Sequence, residues 1–370
     1  MKRLLRILAA VLPAVAFLAV GEVAVRIGAW AEPELLSLPF PGEDKLMRPD
    51  AELFWALRPN LDIRRNRKRI RTNSLGLRSS EIETKRPGEI RILSLGESTA
   101  FGQGVSNDQT YANFLEDHLN TVARDAGRGS HFRVINAGVP AYSSFQSLKY
   151  LELRGIDLQP DVVLLYHEVN DYLPSTIRGS DGSELSFGRT DAQLYESRTN
   201  AARRVLMGNS ALLRFLDLRL ARYRIDRFQE ANVEAFEHGI GLPAFELLPR
   251  ILAVAEDGYA TTTEIRERAL PQRVSEDERA EILEAFQRFC AARGIRLVAI
   301  HPSYNESSRH RCLLTEIYDR QGVPTLEAYD VLHPPGVEQA KYFIDSFHPN
   351  AAGHRRLAEA LAPIVLEIPI

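Results

Sequence analysis

Cysteine is almost missing from this chain of 370 residues, with only Cys290 and Cys312 present. Two thiols exclude a disulfide framework. No Cys/His cluster has the spacing of a zinc site, so a structural zinc module is excluded too. What remains is a pair of buried free thiols, or a single bridge if the domain lives in an oxidising compartment. A surplus of either charge is also missing: 46 Lys and Arg stand against 49 Asp and Glu, for a net charge of -3. That balance argues against a dedicated nucleic-acid binder. Internal repeats and low-complexity tracts are absent as well. The composition, 45% hydrophobic and 26% charged, is that of a globular chain with material for one large domain or two small ones.

The first distinctive stretch is N-terminal. Lys2, Arg3 and Arg6 precede residues 7–21, ILAAVLPAVAFLAVG, which carry no charge until Glu22. Fifteen residues is short for a spanning helix, which needs about 20; Leu4, Leu5 and residues 23–25 extend it. Residues 1–31 therefore read as a signal anchor or a signal peptide. Ala29-Trp30-Ala31 has small-x-small spacing but lies far from the apolar core, which favours an uncleaved anchor. The basic start predicts a cytoplasmic N-terminus and an exported remainder.

Residues 32–90 are rich in Pro, Arg and Asn, and RPNLDIRRNRKRIRTNSLGLRS predicts short strands or a hairpin. Its six basic residues from Arg64 to Arg71 read first as a solvated strand face. From residue 91 the pattern changes. Strands are predicted at 90–96, 132–138, 160–171 and 295–302, and helices at 107–127, 143–155, 276–293, near 310–321, and at 349–364 from Pro349. Strands alternating with helices imply a parallel sheet covered on both faces. Between 172 and 275 the alternation stops. An Arg-rich helical pattern at 202–228, with Arg203, Arg204, Arg214, Arg219, Arg222, Arg224 and Arg227, reads as an insertion or cap. Those arginines form a wet helix face or a basic rim for an acidic polymer or anionic lipid.

In an open parallel sheet the active site lies at the carboxyl ends of the strands. The first strand is followed by Glu97-Ser98, the second by Gly138, the third by Asn170-Asp171, and the last helix is preceded by Asp345 and His348. These are the parts of an acyl-transfer site. A serine hydroxyl needs an adjacent base. His348 supplies one, and Asp345, three residues earlier, holds the imidazole in one tautomer. The Ser98 N–H, the Gly138 N–H and the Asn170 carboxamide are candidate oxyanion donors.

Ser98 in LGESTAFGQGV, Gly138 in INAGVPAYSS, Asn170 in VNDY and the Asp345/His348 pair in DSFHPNAAGH together resemble the SGNH, or GDSL, hydrolase family, over about 91–171 and 295–364. The N-terminal anchor and NSLGLRSSE at 73–81 resemble a bacterial membrane-anchored subgroup. The resemblance implies a flavodoxin-like three-layer α/β/α sandwich over 91–370, with the 172–275 segment as a mostly helical insertion and 32–90 as an extension. It implies no cofactor and no metal. Ser98 is then the nucleophile, Asp345 and His348 complete the triad, and Ser98, Gly138 and Asn170 form the oxyanion hole. The implied activity is hydrolysis of an O-acyl ester of a carbohydrate or lipid, acetyl above all, at a bacterial inner membrane with the catalytic part facing the periplasm or the exterior. The alternatives are an O-acyltransferase for cell-surface polysaccharide and a catalytically silent polymer-binding module. Two departures from the family pattern are visible: Glu97 replaces the Asp of Gly-Asp-Ser, and Glu168 stands where Gly is usual.

Other polar residues carry plainer expectations. His167 and His301 read as packed histidines, Asp171 as a local backbone support, Tyr142 as a wall of the acyl pocket, and His354 as a surface residue of the final helix.

Overall fold

The computed structural model describes residues 2–31, 46–50, 52–65, 67–127, 129–167, 169–172, 190–199, 209–213, 215–216, 219, 272–301, 313–345 and 347–367. Cys312, Glu168 and, apart from Arg219, the arginines named in the 202–228 segment lie outside these residues.

The chain opens with helix α1 (Lys2–Ala31). Two antiparallel hairpins follow, β1 (Met47–Asp50) with β2 (Phe54–Leu57), and β3 (Asp62–Arg65) with β4 (Lys68–Arg71). The expected hairpin is thus the second of two. Its Ile70 turns inward while Arg64, Arg69 and Arg71 stay exposed.

The main sheet has five parallel strands: β5 (Glu89–Gly96), β6 (His131–Asn136), β7 (Val162–Tyr166), β8 (Arg296–His301) and β9 (Thr325–Glu327). Their spatial order is β6-β5-β7-β8-β9, the 2-1-3-4-5 order of flavodoxin-like folds. The central strands are apolar at successive positions because both faces are covered. Leu93, Leu95, Val163, Leu165, Leu297 and Ala299 point to one core. Ile92, Val162, Leu164, Tyr166, Val298 and Ile300 point to the other. This period of two divides the helices into layers. Helices α4 (Ser144–Tyr150), α7 (Glu276–Ala291) and α8 (Leu313–Gln321) supply Phe145, Leu148, Ile282, Phe286 and Ile317 to the first core. Helices α3 (Tyr111–Asp125) and α10 (Ala351–Glu367) supply Leu115, Leu119, Leu357, Leu361 and Val365 to the second. The remaining short helices are α2 (Ser98–Phe101), α5 (Val169–Tyr172), α6 (Asp191–Thr199) and α9 (Ala328–Leu332). The hairpins share the first core through Leu53, Phe54, Trp55, Leu57 and Ile70.

Three local expectations shift. The third strand ends at Tyr166, and Asn170 sits on the helical turn α5. The last helix starts at Ala351 rather than Pro349: Pro349 bridges Phe343, and the Asn350 carboxamide oxygen accepts the Ala352 and Gly353 N–H groups at 2.9 and 3.1 Å, as an N-cap does. His354 shares the buried face of this helix with Leu357, Leu361 and Val365, spaced about one turn apart. His354 is fully buried, which corrects its reading as a surface residue.

Candidate active site

Strand β5 pairs with β6 on one side and β7 on the other, with Ser94 opposite Asn136 and Gly96 opposite Tyr166. The carboxyl ends of these three strands converge at the point where the strand order reverses, the usual ligand crevice of such a sheet. Ser98 is the first residue of α2, immediately past β5. Glu97 between them is almost fully buried, and its Oε2 accepts the Asn170 N–H at 3.2 Å. The residue that departs from the family's Asp thereby ties the serine turn to the asparagine turn.

Asp345 and His348 sit on a loop pinned by the Phe343–Pro349 bridge and by Ile344 N–H to His348 O at 2.9 Å. The three-residue spacing has a physical use here. Asp345 Oδ1 accepts the Phe347 and His348 backbone N–H groups at 2.9 and 2.8 Å, closing an Asx turn. The same carboxylate faces His348 Nδ1 at 2.8 Å (Oδ2) and 3.0 Å (Oδ1). Partial burial works to raise the Asp345 pKa, but the bonds from the His348 ring, the His348 N–H and the Phe347 N–H together hold it below the ordinary value. An ionised Asp345 requires the proton on Nδ1, which leaves Nε2 as an acceptor. Nε2 lies 2.9 Å from Ser98 Oγ. Ser98, His348 and Asp345 are therefore brought together in a chain of hydrogen bonds spanning both ends of the domain.

Asn170 is buried at the same edge. Its Nδ2 donates to Tyr142 O at 3.0 Å, which orients the carboxamide and leaves its second hydrogen for another acceptor. The Gly138 N–H donates to the side chain of Asn136 at 3.0 Å, so a ligand oxygen must share that hydrogen or take it over. Gly138 is glycine for a packing reason: a Cβ there would lie 2.3 Å from Phe101 N and 2.6 Å from Ala100 C. The glycine lets the second strand's exit loop lie directly on the serine helix.

The loop from 138 to 144 is held from beneath. Ala141 has φ 62°, a region disfavoured for residues with a Cβ, and its carbonyl accepts from Arg273 Nη1 at 2.6 Å. Arg273 also pairs with Asp191 at 2.7 Å, both side chains being 3% exposed. Asp171 Oδ1 accepts the Ser144 N–H at 2.7 Å and Oδ2 faces Arg279 at 3.4 Å, the backbone-supporting place expected for it. The Tyr142 hydroxyl donates to Trp55 O at 2.7 Å, so its side chain is committed to the core. His167 is buried against Ser147 Oγ at 2.6 Å, and His301 is buried beside Glu327. Asn136, Arg273 and Asp191 were not legible as site-supporting residues, because their partners are distant in sequence; Asn136, two residues before Gly138, carried the one local signal. Among the described residues no group of His, Cys, Asp or Glu has the arrangement of a metal site.

No curated protein matches the chain in sequence. Among solved structures it is similar to a lipolytic protein of the G-D-S-L family from Desulfitobacterium hafniense, with 8% identity, a TM-score of 0.39, and coverage of 74% of this chain and 98% of that one. It is also similar to an acetylxylan esterase from Geobacillus stearothermophilus, with 14% identity, a TM-score of 0.39, and coverage of 74% and 93%. The profile of the GDSL-like lipase/acylhydrolase family matches residues 94–356. That match runs from inside the strand before Ser98 to the helix after His348, and the chain belongs to the GDSL-like lipase/acylhydrolase family.

Proposed function

We propose that this protein is a membrane-anchored serine ester hydrolase that removes an O-acyl group, acetyl above all, from a carbohydrate or lipid on the extracytoplasmic side of a bacterial inner membrane. The observation that carries the chemistry is the Asp345–His348–Ser98 hydrogen-bond chain, 2.8 and 2.9 Å long at its two links. Ser98 Oγ attacks the ester carbonyl carbon as His348 Nε2 takes the hydroxyl proton, and Asp345 stabilises the imidazolium. The carbonyl oxygen becomes an oxyanion, met by the Ser98 and Gly138 N–H groups and the free hydrogen of Asn170 Nδ2. Collapse expels the alcohol, which leaves with the proton from His348. Water, deprotonated by His348, then cleaves the acyl-enzyme, releasing the acid and restoring the Ser98 hydroxyl.

The anchor is assigned to α1. Its segment Leu12–Trp30 has mean hydropathy 1.7 and is 6% buried, and eighteen residues, 4–21, rise about 27 Å as a helix, close to the hydrocarbon thickness of a bilayer. Retention of α1 is supported by contacts that a cleaved signal would not make. The Glu22 carboxylate accepts the Ser210 hydroxyl at 2.8 Å and the Ala211 and Leu212 N–H groups at 2.9 Å each. Arg26 donates to Asn209 O at 2.9 Å.

The test is turnover of p-nitrophenyl acetate and butyrate by the full-length protein in detergent beside Ser98→Ala. Turnover that vanishes in the variant supports the reading. A folded wild type that neither turns over these esters nor is labelled at Ser98 by a fluorophosphonate refutes it. Labelling without turnover shifts the reading to acyl transfer onto a required acceptor.

A further inference from the structure

Arg78, in the segment NSLGLRSSE, is fully buried, and no ion pair to it is formed among the described residues. Its guanidinium is spent on oxygen atoms of the loop that follows the serine helix. Nη1 donates to Phe101 O at 2.8 Å and to Gly102 O at 2.6 Å, Nη2 to Val105 O at 2.5 Å, and Nε to Asn107 Oδ1 at 3.0 Å. The guanidinium carbon lies 4.5 Å from the centre of the Phe101 ring. Burying a guanidinium without a carboxylate is costly unless nearly every N–H finds an acceptor, and here carbonyls supply them. Burial pushes its pKa down to about 9, with the Asp108 charge opposing, so it remains a cation at neutral pH.

The location gives this arrangement its meaning. Helix α2 is a single turn of four residues, and one turn does not hold itself: it fixes several backbone dihedrals for one hydrogen bond. The carbonyls at its C-terminal end are orphans that favour a cation. At Gly102 the chain reverses in the left-handed region, φ 87°, where a Cβ would lie 2.7 Å from Thr110 Cγ2 and 3.1 Å from Arg78 Nη1. The same short segment reaches the other half of the site. The Arg78 backbone N–H donates to Asn136 O at 3.2 Å, and the Asn136 N–H donates to Ser79 Oγ at 2.8 Å. Asn136 in turn donates from Nδ2 to Phe101 O at 3.4 Å and accepts the Gly138 N–H.

We propose that Arg78 is a positioning residue for acyl transfer: with Ser79 and Asn136 it staples the serine helix to the exit of β6 and so sets the distance between Ser98 and the Gly138 N–H. The proposal rests on the assignment of Ser98 as nucleophile. Arg78 touches no reacting atom. It acts through Phe101, Gly102 and Asn136, and a lysine cannot replace it, because one ammonium lacks the fork that reaches Phe101, Gly102, Val105 and Asn107 together.

The experiment compares full-length wild type, Arg78→Lys, Arg78→Met, Ser79→Ala and Arg91→Met in detergent. Arg91 serves as the control: it is another buried arginine, bonded to Leu158 O at 3.0 Å and to Glu89, at the opposite end of β5 from Ser98. Folded fraction and Tm are measured for each variant, together with kcat and KM on p-nitrophenyl acetate and the rate of fluorophosphonate labelling. Arg78→Lys is expected to lose about 10- to 100-fold in kcat and in labelling rate per folded molecule, with KM within about twofold, since a small misplacement of reacting groups costs that much. Ser79→Ala loses kcat in the same direction by a smaller factor, and Arg91→Met lowers Tm with kcat unchanged. If Arg78→Met does not fold, Arg78→Lys and Ser79→Ala decide. The proposal is overturned if both keep wild-type kcat, if only KM changes, or if the Arg91→Met control loses kcat by the same factor. Wild-type turnover abolished by Ser98→Ala secures the nucleophile independently of the Arg78 result. A wild type that neither turns over nor labels removes both readings.

Discussion

Each of the residues assigned to catalysis makes a contact that limits what it can do. Ser98 Oγ has His348 Nε2 at 2.9 Å, and His348 has Asp345 locked behind it by three hydrogen bonds at 2.8 to 3.0 Å. Groups linked in series fail together. Ser98→Ala and His348→Ala are each expected to lower kcat by about 10⁴-fold or more, with the double variant no worse than the poorer single. Additive losses measured by steady-state kinetics would break the assignment. Asn170→Ala is expected to cost about 10²- to 10³-fold in kcat with Tm little changed, the loss typical of one oxyanion donor. The spacing of Asp345 and His348 was legible in the sequence because one Asx turn uses the same carboxylate for the backbone and the ring. The engagement of the Gly138 N–H by Asn136 was not, because a glycine after a strand says nothing about where its hydrogen points.

At the scale of elements, the association of α1 with residues 209–213 has consequences for how the protein is processed. Glu22 receives the first N–H groups of the short helical stretch after Ser210, the place where a carboxylate complements the partial positive charge of a helix start. Val25 and Ala211 are buried, whereas Leu12, Phe17 and Val20 on the preceding turns are exposed, the pattern that the proposed anchor calls for. Intact mass measured on protein extracted from membranes is expected to include residues 1–31. A mature chain that starts after Ala31 would refute retention. In the retained form, Glu22→Ala is expected to speed tryptic cleavage after Arg219 several-fold relative to wild type; equal rates would show that the Glu22 contact does not secure this segment.

At the scale of the whole molecule, stability is tied to pH through buried histidines on opposite faces of the sheet. Burial pushes His167 down to about 4. Burial, assisted by the charges of Arg78 and His348, pushes His354 down to about 3. His354 Nδ1 accepts the Tyr111 N–H at 3.2 Å and its ring stacks on Tyr111, so the neutral ring is built into the start of α3. Both residues are neutral in the folded protein, while in the unfolded chain they take up protons below about 6.5. Between those limits the unfolded state binds more protons, so stability rises with pH. Going down from pH 6.5 towards 4, each histidine costs about 1.4 kcal/mol per pH unit. Tm measured over that window is expected to fall with a slope reporting about two protons, and a flat profile would contradict the buried neutral state of these rings.

The sequence by itself determined the layered α/β class, the placing of Ser98 and Gly138 just past their strands and of Asn170 at the same sheet edge, and the Asp345/His348 pair. Each rests on a local rule: alternation of apolar segments, strand exits on one sheet edge, or a turn closed within three residues. Tertiary structure alone decided the rest. The sheet order depends on which strands pair, and Leu and Val runs buried on both faces carry no register of their own. The burial of His354 was decided by which face of the last helix packs on α3, where its ring meets Tyr111. Glu97 on Asn170, Arg273 on Asp191 and Arg78 on the serine loop join residues 23 to 82 positions apart. Such bonds form only once folding has excluded water, when a buried polar group must find a partner.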